Sequence, residues 1–216
     1  MADDPGDGEA EDERALELST VAAIYPELNI DLAPGHIFAT LSIEVEPIEP
    51  LLIRFPPAEG VPPGGLPTPP NSSDEGTHLN EEDRQGLSIN HDAHKLSHLP
   101  PLNLRITLPD GYPAETSPLI RLESQYLWLP ARKIQELEAA GHTIWEEMGR
   151  DQVVFSYIDH LREAAENGFG LAQDREKALE VSSHLKVALL DFDLKARRAK
   201  FEQETFECGI CLGMGS

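Results

Sequence analysis

The chain has 216 residues with 39 acidic against 17 basic side chains, a formal charge of -22, 40% hydrophobic residues and 18 prolines. That length allows one modest domain with tails. So acidic a chain repels phosphate backbones and anionic lipid headgroups, which excludes nucleic acid and membrane surface as favoured partners and leaves another protein as the expected one. No stretch approaches the roughly 18 consecutive apolar residues of a membrane span, and the acidic first residues lack the apolar run of a secretory signal. The two cysteines, Cys208 and Cys211, stand close together late in the chain. A disulfide framework is thereby excluded, and a reducing compartment, cytosol or nucleus, is expected.

Residues 1–12 form an acidic tail too poor in apolar surface to offset the entropy of ordering it. From Glu13 a helix is predicted, with Leu18, Ala22 and Tyr25 on one stripe, Val21 and Ile24 beside it, and Pro26 ending it. Ala39, Leu41, Ile43 and Val45 alternate with polar residues, as do Leu51, Ile53 and Phe55. This is the period of half-buried strands, and with Pro47 and Pro50 between them the two runs are predicted to pair as a hairpin. Residues 56–99 are rich in proline and small polar residues without a sustained period, and read as a disordered excursion. The pattern resumes with a third strand at Leu102, Leu104, Ile106 and Leu108, a turn from Pro109 to Pro113, and a short fourth strand, Leu119 to Leu122, just after Pro118.

Pro130 supplies a favoured first helical residue. The helix after it would bury Ile134, Leu137, Ile144, Trp145 and Met148, with an interruption near Gly141. A further helix is predicted from Asp151 as its cap, burying Val154, Tyr157, Ile158, Leu161 and Ala165. Local connections between successive strands favour an α+β fold, a four-stranded antiparallel meander with helices on one face.

Two elements carry a resemblance. The run from Leu18 to Glu27 (LSTVAAIYPE), and above all Tyr112-Pro113-x4-Pro118 after the third strand, resemble the RWD domain over residues 13–168, the excursion excepted. Two prolines fix φ and remove two backbone donors, while a tyrosine can bury its ring and keep its hydroxyl on a polar partner. An ordinary proline turn around a packed tyrosine is the alternative. The resemblance implies a fold related to the ubiquitin-conjugating enzymes, whose chemistry requires a thioester cysteine. No cysteine precedes Cys208, so the resemblance implies an inactive, protein-binding module with no catalytic residue.

In residues 169–206, Leu185, Leu189, Phe192, Ala196 and Ala199 mark an amphipathic helix, with Lys195, Arg197, Arg198 and Lys200 mostly on its solvated faces. It is expected to be a connector; folding back on the domain is the alternative. Residues 207–216 hold Cys208-x2-Cys211, which resembles the first pair of zinc ligands of a RING module, a redox pair or two incidental thiols being the alternatives. An RWD-like domain, a helical linker and a RING-like knuckle, in that order, resemble the amino-terminal region of RING-between-RING E3 ubiquitin ligases. The resemblance implies a chain truncated at the start of the first RING, with Cys208 and Cys211 as metal ligands and zinc held only in a full-length form. It also implies a conjugating enzyme as partner only where the RING is complete. A non-enzymatic RWD adaptor on a translation-linked scaffold is the alternative function. His91, His94 and His98, with Asp92 and His78 nearby, read as linker histidines rather than a metal site, and the proline-rich run from Gly65 with Ser72 and Ser73 as a spacer.

Overall fold

The computed structural model describes residues 12–33, 36–56, 92–173 and 178–211, with side chains except at 172–173 and 206–211. In chain order the elements are α1 (Glu13–Ile24), β1 (Asn29–Ala33), β2 (His36–Val45), β3 (Leu51–Phe55), β4 (Asp92–Leu96), β5 (Leu99–Leu108), β6 (Leu119–Ser124), α2 (Ala131–Glu147), α3 (Val154–Glu166), β7 (Leu179–Glu180) and α4 (Lys186–Cys211). Short 3-10 turns occupy Gly168–Gln173 and Ser183–Leu185. The fold is α+β, and α1 begins where Asp12 accepts a hydrogen bond from the Arg14 backbone N–H, capping its first turn.

The main sheet is antiparallel in the order β1-β2-β5-β6. In its register Leu41 faces Leu104, Ala39 faces Ile106 and Ile43 faces Leu102, and Ile120 and Leu122 of β6 extend the same layer. All of these side chains are buried, on the side covered by α1, α2 and α3. The alternation read in the sequence is therefore the alternation of the core.

The hairpin expected between residues 39–45 and 51–55 does not form. Both edges of β2 are occupied, one by β1 and the other by β5. The chain instead crosses at Pro47 and Ile48, where the Ile48 N–H donates to the Glu166 carbonyl at 2.9 Å. β3 then starts a second sheet, antiparallel to β4 and parallel to the two residues of β7. Asp92–Leu96, within the excursion expected over residues 56–99, is instead a strand, and residues 57–91 lie outside the described residues. The main sheet remains a meander interrupted by this second sheet.

Neither helix after β6 starts or runs quite as its residues predict. α2 is continuous through Gly141, because the glycine serves packing rather than a break: a β-carbon there would lie 2.6 Å from Ile120 Cγ1. Asp151 does not cap α3; among the described residues its carboxylate accepts from the neighbouring Gln152 N–H at 2.7 Å. The helix starts at Val154, and its capping groups come from distant parts of the chain. The predicted stripe of α3, from Val154 to Ala165, is buried throughout.

Candidate functional site

Tyr112 follows the Gly111 turn, and Pro113 and Pro118 are buried beside it, with a cis peptide at Tyr112-Pro113. The buried Trp145 indole N–H donates to the Pro113 carbonyl at 2.7 Å, joining this segment to α2. The Tyr112 ring is buried and its hydroxyl donates to Glu17 Oε1 at 3.1 Å, while accepting from the Val153 N–H at 2.8 Å. Glu17 Oε1 also accepts from the Val154 N–H at 2.8 Å. One phenol and one carboxyl thus satisfy two backbone donors at the start of α3 that no neighbouring side chain reaches. The site joins α1, the Tyr-Pro segment and α3.

Glu17 is only 5% exposed, and its Oε2 has no hydrogen-bond partner among the described residues. Burial pushes its pKa up, against the hydrogen bonds from Val154 and Tyr112. Burial and the adjacent Glu17 likewise raise that of the Tyr112 phenol. Acid and phenol bond the backbone at the start of α3, so the pair ties α1 and the Tyr-Pro segment to that helix. Because the folded-state pKa of Glu17 is raised, its contribution to stability is complete below its ordinary value of 4.5 and is lost as pH rises through the folded value. The Tm of a Glu17→Gln variant relative to the parent is accordingly expected to climb from pH 4.5 towards pH 8. A Tm difference independent of pH would refute the raised pKa.

The linker helix folds back over its first half. Leu189 is buried, and Asp193, on the same side, is 7% exposed. Its Oδ1 accepts from the backbone N–H groups of Ser97 and His98, each at 2.9 Å, and Arg197 pairs with its Oδ2 at 2.9 Å. Lys186 pairs with Asp92 and Lys200 with Glu46, so the basic residues of α4 serve docking and intrahelical pairs. The backbone of α4 continues to Cys211, and the side chains of Cys208 and Cys211 lie outside the described set. Of the histidines, His94 bonds Asp92 at 2.6 Å and His98 stands 3.6 Å from both Glu46 and Asp193, while His78 and His91 lie outside the described residues. Among the described residues no three His, Cys, Asp or Glu side chains could hold a metal, and no helix is long and apolar enough to cross a membrane.

The accessible surface is the open face of the main sheet, where Phe38, Thr40 and Ser42 of β2 lie opposite Thr107, Arg105 and Asn103 of β5. A concavity of about 390 Å³ over Thr40, Asn103, Arg105 and Arg121 adjoins a groove of about 460 Å³ walled by Phe192, Ala196 and Ala199 of α4. Ser42 lines both. Together they form a continuous surface with a polar floor and an apolar wall on the α4 side.

Residues 12–165, the span that holds the Tyr112 junction and the whole main sheet, match the profile of the RWD domain. The chain belongs to the RWD domain family. It is similar to the E3 ubiquitin-protein ligase itt1 of Schizosaccharomyces pombe, 27% identical over 197 residues, which is 91% of this chain and 38% of the relative. It is also similar to the E3 ubiquitin-protein ligase RNF14 of Danio rerio, 26% identical over 153 residues, covering 55% of this chain and 33% of the relative. The matched part thus spans 38% of one ligase and 33% of the other. No solved structure matches the chain.

Within the RWD domain, sequence reasoning found Tyr112 but missed its partner Glu17, and in α4 it missed Asp193. One signal marks both: each is an acid on an otherwise apolar helical stripe, Glu17 in line with Val21 and Tyr25, Asp193 with Leu189 and Ala196. An acid buried there requires donors, and both have them.

Proposed function

We propose that this chain is the recruiting arm of an E3 ubiquitin ligase of the RING-between-RING type, in which the RWD domain binds a protein and transfer chemistry belongs to segments the chain does not span. One observation carries the reading: similarity to a ligase covers 91% of the chain and so continues past residues 12–165 of the RWD domain. The absence of any cysteine before Cys208 supports a domain that does not itself carry ubiquitin as a thioester. Cys208 and Cys211 are proposed as the first two ligands of a RING zinc. They supply half of a tetrahedral set, so the residues present do not complete a site and no step is assigned to zinc. A ubiquitin-charged conjugating enzyme would bind the completed RING, in the cytosol or nucleus.

The test is made in the protein that contains this chain. Its reading frame is expected to carry further zinc-ligand pairs after Cys211. Deleting residues 12–165 should then leave discharge of a ubiquitin-charged conjugating enzyme intact in vitro while suppressing ubiquitination of cellular targets. A frame without such pairs, or discharge that collapses on the deletion, overturns the reading.

A further inference from the structure

The open sheet face has an electrostatic feature that its surroundings do not resolve. In the β5–β6 register Arg105 lies directly opposite Arg121, and like charges in that position destabilise a sheet. Acids outnumber bases by 39 to 17, and Arg14, Arg54, Arg162, Arg197 and Arg198 each stand within 3.8 Å of a carboxylate. Arg105 has no such partner among the described residues. It lies instead over the Phe38 ring, its guanidinium carbon 3.7 Å from the centroid, a cation–π contact. Arg121 pairs with Glu138 Oε2 at 3.6 Å, while Glu138 Oε1 accepts from the Leu122 backbone N–H at 2.9 Å. Both arginines line the concavity, Arg121 with Glu138 as its partner and Arg105 with no carboxylate partner among the described residues.

The chemistry such a pair accepts is a planar carboxylate. Glu123 on the next row and Glu44 beyond it bound the site, so one acidic side chain fits where an acidic run would be repelled. The adjoining groove, with Phe192 and Ala196 on α4 and Pro101 on β5, offers an apolar contact. Pro101 and Arg105 are four residues apart on one strand, about 13 Å at the rise of an extended chain, a span that about four residues of an extended peptide cover.

We propose that the open face of the sheet, with Arg105 and Arg121 at its centre and α4 as its wall, binds an extended segment of a partner protein bearing an Asp or Glu about four residues from an apolar side chain. The inference deepens the recruiting role and rests on it for its biology, but the binding is measured on this chain alone, so the failure of either is seen separately.

The probe is an array of nine-residue peptides with varied flanks, a fixed Leu at the third position and Glu, phosphoserine or Lys at the seventh, read by fluorescence anisotropy. Glu peptides are expected to bind, Lys peptides not. Affinity for the Glu peptides should fall about tenfold in an Arg105→Gln/Arg121→Gln variant and fall with added salt, as for exposed charge pairs. Both positions are exposed, and an unchanged Tm confirms that the variant is folded; if it melts early, Arg121→Gln alone is read instead. Equal binding of Glu and Lys peptides, preference for phosphoserine, undiminished binding by the variant, or occupation of the face by a second copy in sedimentation overturns the proposal.

Discussion

Replacing Tyr112 by Ala is expected to lower the unfolding free energy by about 4 kcal/mol, the cost of deleting a buried aromatic ring. The ring is 6% exposed, and the hydroxyl joins Glu17 to the start of α3. Truncation leaves a cavity and also removes the acceptor of the Val153 N–H, so both penalties fall on one site. Tyr112→Phe separates them. It keeps the ring and removes only the hydroxyl, at an expected cost of about 1–3 kcal/mol for a buried donor left unpaired. Urea unfolding followed by the fluorescence of the buried Trp128 and Trp145 reads both variants. A loss below 1 kcal/mol for Tyr112→Ala, on the order of an ordinary surface change, would remove the Tyr-Pro element from the core of the fold.

The second large effect is local. Asp193→Ala strips the acceptor from the Ser97 and His98 N–H groups and removes the ion pair with Arg197, each lost bond being worth about 1 kcal/mol or somewhat more where charge is involved. Together they amount to about 3 kcal/mol, set against the burial of few large side chains besides Leu189. The docked half of α4 is therefore expected to open while the RWD core stays folded. Hydrogen exchange should show protection lost over residues 186–200 and retained in β2 and β5. Asp193→Asn, which preserves an acceptor for the two N–H groups, should restore most of it. Uniform loss of protection across the chain would mean that α4 is part of the cooperative core instead of an element laid on it.

The expected release of α4 also bears on the peptide groove, since Phe192 and Ala196 form its wall. The arginine pair lies on β5 and β6 and does not depend on that helix. Opening α4 would remove the apolar contact and leave the carboxylate site in place.

Much of this molecule was legible from side-chain period alone. The alternation of residues 39–45 and 102–108 and the stripe of α3 depend only on which side of a strand or helix each residue occupies, a local property carried by neighbours in sequence. So too was the Tyr-Pro segment, because two prolines and a glycine constrain the backbone where they stand. β1 escaped notice because its residues are almost all exposed at the sheet edge and show no burial alternation. The partner of β3 was misassigned for a related reason: a hydrophobic pattern says that a strand is buried, not which strand it pairs with.

By itself, then, the sequence determined the class of fold, the core faces, the absence of a thioester cysteine before Cys208 and the family resemblance. Only the tertiary structure decided that Glu17 caps a helix 137 residues away, that Asp193 holds α4 to the β4–β5 corner, and that Arg105 meets Arg121 across two strands. Each of these is a pairing between groups distant in the chain. Period and propensity report the environment a side chain requires, whereas its partner is settled by strand register and helix placement, which arise when the whole apolar surface is buried at once.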